Sequence, residues 1–294
     1  MNSSSLLPPS QKPTTVPYMS TSTRMLGAGA FFLWSLPTLW SLAQQTWRTE
    51  AGSLAPLVLA LGFWSLFESH RRVGHLASHG PVIPAVAVIS LVLPIYLFAS
   101  AIDLVSVMAV CVWVAGVATF YVLNGAAVTR ACMFPLAFLG LVVPLPYSLT
   151  LSGNVILRDF VARAASDLGR VFRMETASDA HYLFVDQYKL AIDTACAGLS
   201  STMSLVAIGL LFAHWMQGTG WRGYLVAVII SVPIALLANV LRIVALLFLV
   251  KTLGPGLLDT AIHPLSGVLS FAFALAMFAV MQRLVHRLVK ERGE

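Results

Sequence analysis

About eight apolar runs, separated by short polar segments, make up most of the chain; they lie near residues 25–46, 53–69, 82–99, 101–123, 131–150, 196–215, 224–250 and 265–285. Each approaches the roughly 20 mostly apolar residues that cross a bilayer core, the second being the shortest. The pattern predicts an all-α polytopic membrane bundle of about eight transmembrane helices. Residues 151–195, between the fifth and sixth runs, follow a different pattern. From Asn154 to Arg173, Ile156, Phe160, Val161, Ala164, Leu168, Val171 and Phe172 recur at helical spacing, opposite Arg158, Asp159, Arg163, Asp167 and Arg170. This predicts an amphipathic helix lying on the membrane surface. "HYLFVDQYKLAID" then holds two short β-prone runs around Asp186 and Gln187, a small hairpin leading into the sixth span. Residues 1–24, rich in Ser, Thr and Pro at their start, read as a mobile tail; 25–285 form the bundle and 286–294 a basic tail.

Composition places the chain outside the soluble globular class: 58% of its 294 residues are hydrophobic, 10% are charged, and the mean hydropathy is +0.84. A net charge of +6 could suggest nucleic acid as a partner. The basic residues instead cluster between apolar runs, where they act as topology signals, so the expected partner is the lipid bilayer and no nucleic acid. The C-terminal "QRLVHRLVKERGE" carries Arg283, Arg287, Lys290 and Arg292, which places that end in the cytoplasm. Alternating backwards puts Arg222, Arg130, the Arg71–Arg72 pair and the N-terminal tail on the same side. Both termini are then cytoplasmic, and the 151–195 insertion faces outward. With no convincing signal-peptidase site after the tail, targeting is expected through uncleaved helices.

Candidate chemistry converges on the outward ends of three successive spans. Arg242, in "PIALLANVLRIVALLFLV", lies nine positions inward of Lys251, roughly 13 Å along a helix. A charge there costs about 2.5 to 3.5 kcal/mol on insertion scales, so it should face a partner in the bundle or a wet cavity. The competing reading is a side chain that snorkels to the interface. Asn239, one turn earlier, shares its face and can hold the guanidinium or a substrate carbonyl. His263 opens the last span, with Pro264 at the first helical position. His70, His75, His79, His181, His214 and His286 read as structural or interfacial. Cys196 begins the sixth span. Near a helix N-terminus and an arginine, its thiol pKa would fall, making it a candidate nucleophile. Its alternative is a small buried hydrophobe, the role read for Cys111 and Cys132. Ala197 and Gly198, with Ser200, Ser201 and Ser204, either admit a substrate closely or serve ordinary small-residue packing. Thiol, imidazole and guanidinium together suit acyl transfer. Asp259 and Asp193 either orient the histidine or are solvated loop charges. The cysteines fit no CxxC pattern, and no HExxH or clustered carboxylates occur, so neither metal nor cofactor is expected.

Three motifs, "ACAGLSS" at Cys196, "NVLR" ending at Arg242 and "HPLSG" from His263 to Gly267, resemble the exosortases and archaeosortases in order, topology and spacing. The resemblance covers mainly residues 180–280. It implies a membrane-embedded cysteine transpeptidase with Cys196 as nucleophile, Arg242 and His263 as its partners, and Asn239, Gly198 and Gly267 in support. The implied substrates are membrane-anchored proteins carrying a C-terminal sorting signal: a tripeptide such as Pro-Glu-Pro, a transmembrane helix and a basic cluster. Histidine at the third position is similar to the bacterial type, in which case the site would face the periplasm from the inner membrane. "CAG" stands where "CSG" is commoner, and the expected type lacks the extra C-terminal domain fused to some exosortases. Two other classes compete. One is a transporter or channel in which Arg242 binds an anion, against which no duplicated half is visible. The other is a non-catalytic subunit of envelope polysaccharide export.

Overall fold

The computed structural model describes residues 21–47, 49, 52, 55–179, 182–185, 188–191, 199–215, 221–254, 256 and 262–291. The chain folds as α1 (Thr21–Gln45), α2 (Ala55–Val73), α3 (Val82–Ala101), α4 (Val105–Ala131), α5 (Met133–Leu139), α6 (Tyr147–Val171), strands β1 (Thr176–Asp179), β2 (Tyr182–Val185) and β3 (Tyr188–Ala191), then α7 (Leu199–Trp215), α8 (Trp221–Leu253) and α9 (Ile262–Glu291). Most of the N-terminal tail lies outside the described residues.

Among the described residues, five helices are long and apolar enough to cross a membrane: Ser22–Gln45, Val82–Ala101, Val105–Ala131, Gly223–Leu253 and Leu265–Leu284. Met133–Val142 and Leu199–Trp215 are shorter apolar helices. The run at 53–69 does form a helix, α2, but its last turns carry Glu68, Arg71 and Arg72. The run at 131–150 is not one helix. It stops at a 3-10 turn, Gly140–Val142, and α6 begins at Tyr147 after Pro144 and Pro146. Proline lacks an amide hydrogen and disfavours the helical conformation of the residue before it, so a pair spaced by one residue ends the helix. Ile83, Leu91 and Phe98 on α3, and Ile229 and Phe248 on α8, are more than half exposed. An apolar surface of this kind suits lipid.

The chain divides into two compact units, residues 1–39 with 62–137 and residues 40–61 with 138–294. In the first, α3 and α4 pair across a tight turn at Asp103, which takes the left-handed conformation (φ 55°). Val92, Tyr96 and Ala99 of α3 pack on Met108 and Cys111 of α4, with Trp34 of α1 against them. Thr38 donates to the Tyr96 hydroxyl at 3.2 Å. α4 is broken at Gly125 (φ 79°, ψ 175°). The loop after α2 docks there: the Ser78 amide donates to the Asn124 carbonyl and the Gly80 amide to that of Val122, each at 3.2 Å. His70 bonds the Asn124 side chain at 2.9 Å, a structural role as expected for this histidine.

In the second unit, the expected hairpin forms and gains a strand. β2 and β3 pair antiparallel with Val185 opposite Tyr188, and β1 pairs with β2 with Thr176 opposite Val185. β1 escaped the sequence reading because "TASD" shows no apolar alternation. The amphipathic helix also exists, over Tyr147–Val171. It does not merely lie on a surface: Val161, Ala162 and Ala165 are wholly buried with Val240, Ile243, Val244 and Leu247 of α8, and Met174 and Val185 close the same cluster. At the far end of the chain α9 runs on to Glu291, so most of the expected basic tail continues the last helix.

A side chain at Gly125 would take a strained φ and collide with Ser78. Such strain costs on the order of 1 to 3 kcal/mol. Gly125→Ala should therefore lower the unfolding temperature of the detergent-purified protein by several degrees. Gly29→Ala, where an added Cβ meets nothing within 4 Å, should leave it unchanged. Equal melting of the two variants would contradict the docking of Ser78 and Gly80 on α4.

Candidate functional site

The site is built on the packing of α7, α8 and α9 in the second unit. α8 turns small residues, Ala227, Ala235 and Ala238, toward its neighbours, where Leu205, Ala213, Ala274 and Phe278 fill the space. Small side chains let membrane helices approach until polar side chains reach the neighbouring backbone. Ser231 of α8 accordingly donates to the Leu205 carbonyl of α7 at 3.3 Å, as well as to Ala227 in its own helix at 2.7 Å. Gly209 of α7 makes this approach possible: a Cβ there would stand 2.8 Å from the Ser231 Oγ and 2.9 Å from the Phe278 ring. On the other side, Ser270 of α9 donates to the Ala238 carbonyl at 3.0 Å.

Arg242 lies four residues beyond Ala238, and Ser266 four residues before Ser270, so the same antiparallel register brings them together. The Arg242 Nε donates to the Ser266 Oγ at 3.2 Å. Its guanidinium lies over the bare backbone of Gly267, where an added Cβ would meet Cζ at 3.5 Å. The side chain is thus turned onto α9, half-buried, and does not snorkel along the helix. Among the described residues, the ion pairs are Arg72–Glu68, Arg163–Asp159 and Arg170–Asp167, and none involves Arg242. With Nε engaged by a neutral hydroxyl, the two Nη groups are left to another acceptor.

The other expected site residues fall around this point to different degrees. Asn239 is 3% exposed, one turn before Arg242 on α8. His263 is the second residue of α9, three positions before Ser266; its backbone alone is described. Cys196 and Gly198 lie outside the described residues, as do Asp193 and Asp259. The described chain resumes at Leu199, three residues after Cys196 and six before Leu205, hence about 9 Å along α7 from the Ser231 contact. That displacement runs toward the half of α8 that carries Arg242. Leu199 also faces α6, where a Cβ added to Gly153 would meet its side chain at 3.7 Å. Cys111 and Cys132 are 4% and 0% exposed, packed among apolar side chains. His214 bonds the Tyr224 hydroxyl at 3.1 Å, again structural.

A model of the transmembrane exosortases matches residues 46–280. The chain belongs to the transmembrane exosortase family. The match reaches well beyond the segment 180–280 that carries the motifs, back to α2, and it includes Cys196, Arg242 and His263. No curated protein and no solved structure is significantly similar to the chain. Membership implies a peptidase or transpeptidase acting on protein substrates from within a bilayer.

Two residues of this exosortase escaped the sequence reading. Ser266 sits inside "HPLSG", yet its contact with Arg242 depends on the register of two helices. Arg158 was placed on the polar face of α6, whereas it precedes Val161, Ala162 and Ala165 by three, four and seven residues, the spacing of the face packed on α8.

Gly267 gives a graded test of the Arg242 geometry. Gly267→Ala adds a Cβ at ordinary contact distance and should keep substrate processing within about twofold. Gly267→Leu should push the guanidinium aside and slow processing by about 10- to 100-fold, with little change in melting temperature. Equal activity of both variants would show that the seat over Gly267 is not used.

Proposed function

We propose that this exosortase is a cysteine transpeptidase of the bacterial inner membrane that cleaves C-terminal sorting signals at the periplasmic face, through a thioester on Cys196. The observation that carries this reading is the seat of Arg242: a guanidinium held through Nε by Ser266, lying over Gly267, with its Nη groups open. The backbone of His263 stands one turn from that seat, and the chain enters α7 three residues after Cys196. Burial of Cys111 and Cys132 further favours Cys196 as the reacting thiol.

In the proposed cycle the Cys196 thiolate attacks the scissile carbonyl carbon, and the resulting oxyanion is stabilised by Arg242. Collapse breaks the C–N bond, the leaving amine takes a proton from His263, and the signal peptide departs with its own membrane helix. An amine or water then attacks the thioester while His263 accepts its proton, which regenerates the thiolate. A substrate anchored by a helix suits this arrangement, because its cleavage site is presented where the span ends. Both chain ends would then lie in the cytoplasm, in keeping with the basic loops at Arg71, Arg130 and Arg222.

Co-expression with a reporter ending in Pro-Glu-Pro, an apolar helix and a basic cluster tests the cycle. Cys196→Ala and Cys196→Ser should abolish processing, a loss of about 10³-fold or more. Arg242→Lys, which keeps the charge and loses the fork, should cost about 10²- to 10³-fold. Full processing by Cys196→Ala would rule out the transpeptidase. Topology is checked separately: a membrane-impermeant thiol reagent on intact spheroplasts should label Cys196 and spare Cys132. Labelling of Cys196 from the cytoplasmic side alone would reverse the orientation.

A further inference from the structure

α6 carries three arginines, and they divide by partner. Arg163 pairs with Asp159 at 2.9 Å and Arg170 with Asp167 at 3.5 Å, each within one turn of its own helix. Arg158 has no such option: the positions three and four residues to either side are Asn154, Val155, Val161 and Ala162. Asp159 is its neighbour in sequence but points about 100° round the helix. The structure bears this out. Among the described residues, the buried Nε of Arg158 has no hydrogen-bond partner, and no ion pair includes the side chain.

Its position also matters. Arg158 lies on the face of α6 whose next turns, Val161, Ala162 and Ala165, are wholly buried against Val240, Ile243, Val244 and Leu247 of α8. Five residues earlier, Gly153 faces Leu199 at the start of α7, where an added Cβ would meet the Leu199 side chain at 3.7 Å. Arg158 therefore lies along α6 between the position that faces Leu199 and the turns packed on the α8 segment 240–247, which includes Arg242. Among the exposed apolar residues of α6, Ile156 and Phe160 lie on the far side of the helix, whereas Val155 and Leu151 precede Arg158 by one and two turns on its own side. Arg158 is half-buried, and a guanidinium nitrogen withdrawn from water at the edge of this seam without an acceptor is costly, a cost that an anion bound by the side chain would relieve. A guanidinium fork matches a carboxylate or a phosphate, and a peptide substrate supplies the carboxylate.

We propose that Arg158 is a specificity residue that receives a carboxylate side chain of the substrate segment presented to the site. The proposal rests on the transpeptidase reading for the identity of the ligand. Arg158 recognises the substrate and takes no part in the acyl transfer, which leaves Arg242 free for the reacting carbonyl.

The test pairs two forms of the enzyme with two reporters, one carrying Pro-Glu-Pro before its anchoring helix and one carrying Pro-Gln-Pro. Arg158→Gln should slow processing of the glutamate reporter by on the order of 10-fold or more and leave the glutamine reporter at the rate the unaltered enzyme gives it. Arg158→Glu should regain activity on a Pro-Lys-Pro reporter. Equal slowing of both reporters by Arg158→Gln, or no slowing of either, would overturn the assignment; Arg158→Lys and the melting temperature separate misfolding from lost recognition. A second arm uses Cys196→Ala enzyme and measures co-purification of each reporter, without chemistry. If Cys196→Ala still processes substrate, the transpeptidase reading falls, while preferential capture of the glutamate reporter through Arg158 would still uphold carboxylate recognition. In vesicles, an Arg158-dependent stabilisation by phosphatidylglycerol over phosphatidylcholine, with no reporter preference, would assign the residue to a lipid headgroup and overturn the proposal.

Discussion

An ionised guanidinium part-way along a membrane-spanning helix is the most demanding group in this chain, and the helices around Arg242 are arranged to accommodate it. The arrangement does not neutralise the charge. Arg242 meets a hydroxyl and a bare backbone, while every carboxylate paired among the described residues lies elsewhere. A neutral donor–acceptor contact fixes the direction of the side chain and leaves its charge available. That is the condition a catalytic cation must satisfy and a purely structural one would not need. The condition depends in turn on register. Ser231 and Ser270, bonded to the Leu205 and Ala238 carbonyls, pin α8 against α7 and α9, and a slip of one turn on either side would carry Arg242 away from Ser266.

What could be read from the sequence was what local spacing and cost determine. Arg242 stood out because charge is rare in apolar runs, and the pairing of β2 with β3 because two β-prone runs flank Asp186 and Gln187 in the sequence. The prolines at 144 and 146 were equally visible, yet a window of apolar residues hides a break that depends on the backbone rather than on hydropathy. The kink at Gly125 was hidden for a different reason. Glycine in an apolar helix is common, and the signal that mattered was its partner loop at Ser78 and Gly80, some 45 residues away. Ser266 belongs with it: a serine becomes a guanidinium ligand only once two helices are placed in register. Cys196 and His263 were legible as residue types in a topological order, and the roles proposed for them rest on that order together with the family.

α6 illustrates how a polar pattern can contain two functions. Asp159, Arg163, Asp167 and Arg170 satisfy one another along the exposed side of the helix, a local solution that costs little and contributes little. The face packed on α8 obeys different rules, because a group placed there leaves water. A helical wheel with a 20-residue average merges the two; the positions of possible i, i+4 partners separate them.

The break in α4 bears on how the chain is inserted. The Val122 and Asn124 carbonyls accept hydrogen bonds from Gly80 and Ser78, which lie between α2 and α3. Carried into lipid alone, α4 would bring these acceptors without their donors, a penalty the bilayer cannot relieve. Synthesis runs from the N-terminus, so the donors leave the ribosome before the acceptors do. α4 can therefore close its break on a segment already made, and it enters the membrane as the completion of a hydrogen-bonded pair rather than as an independent span.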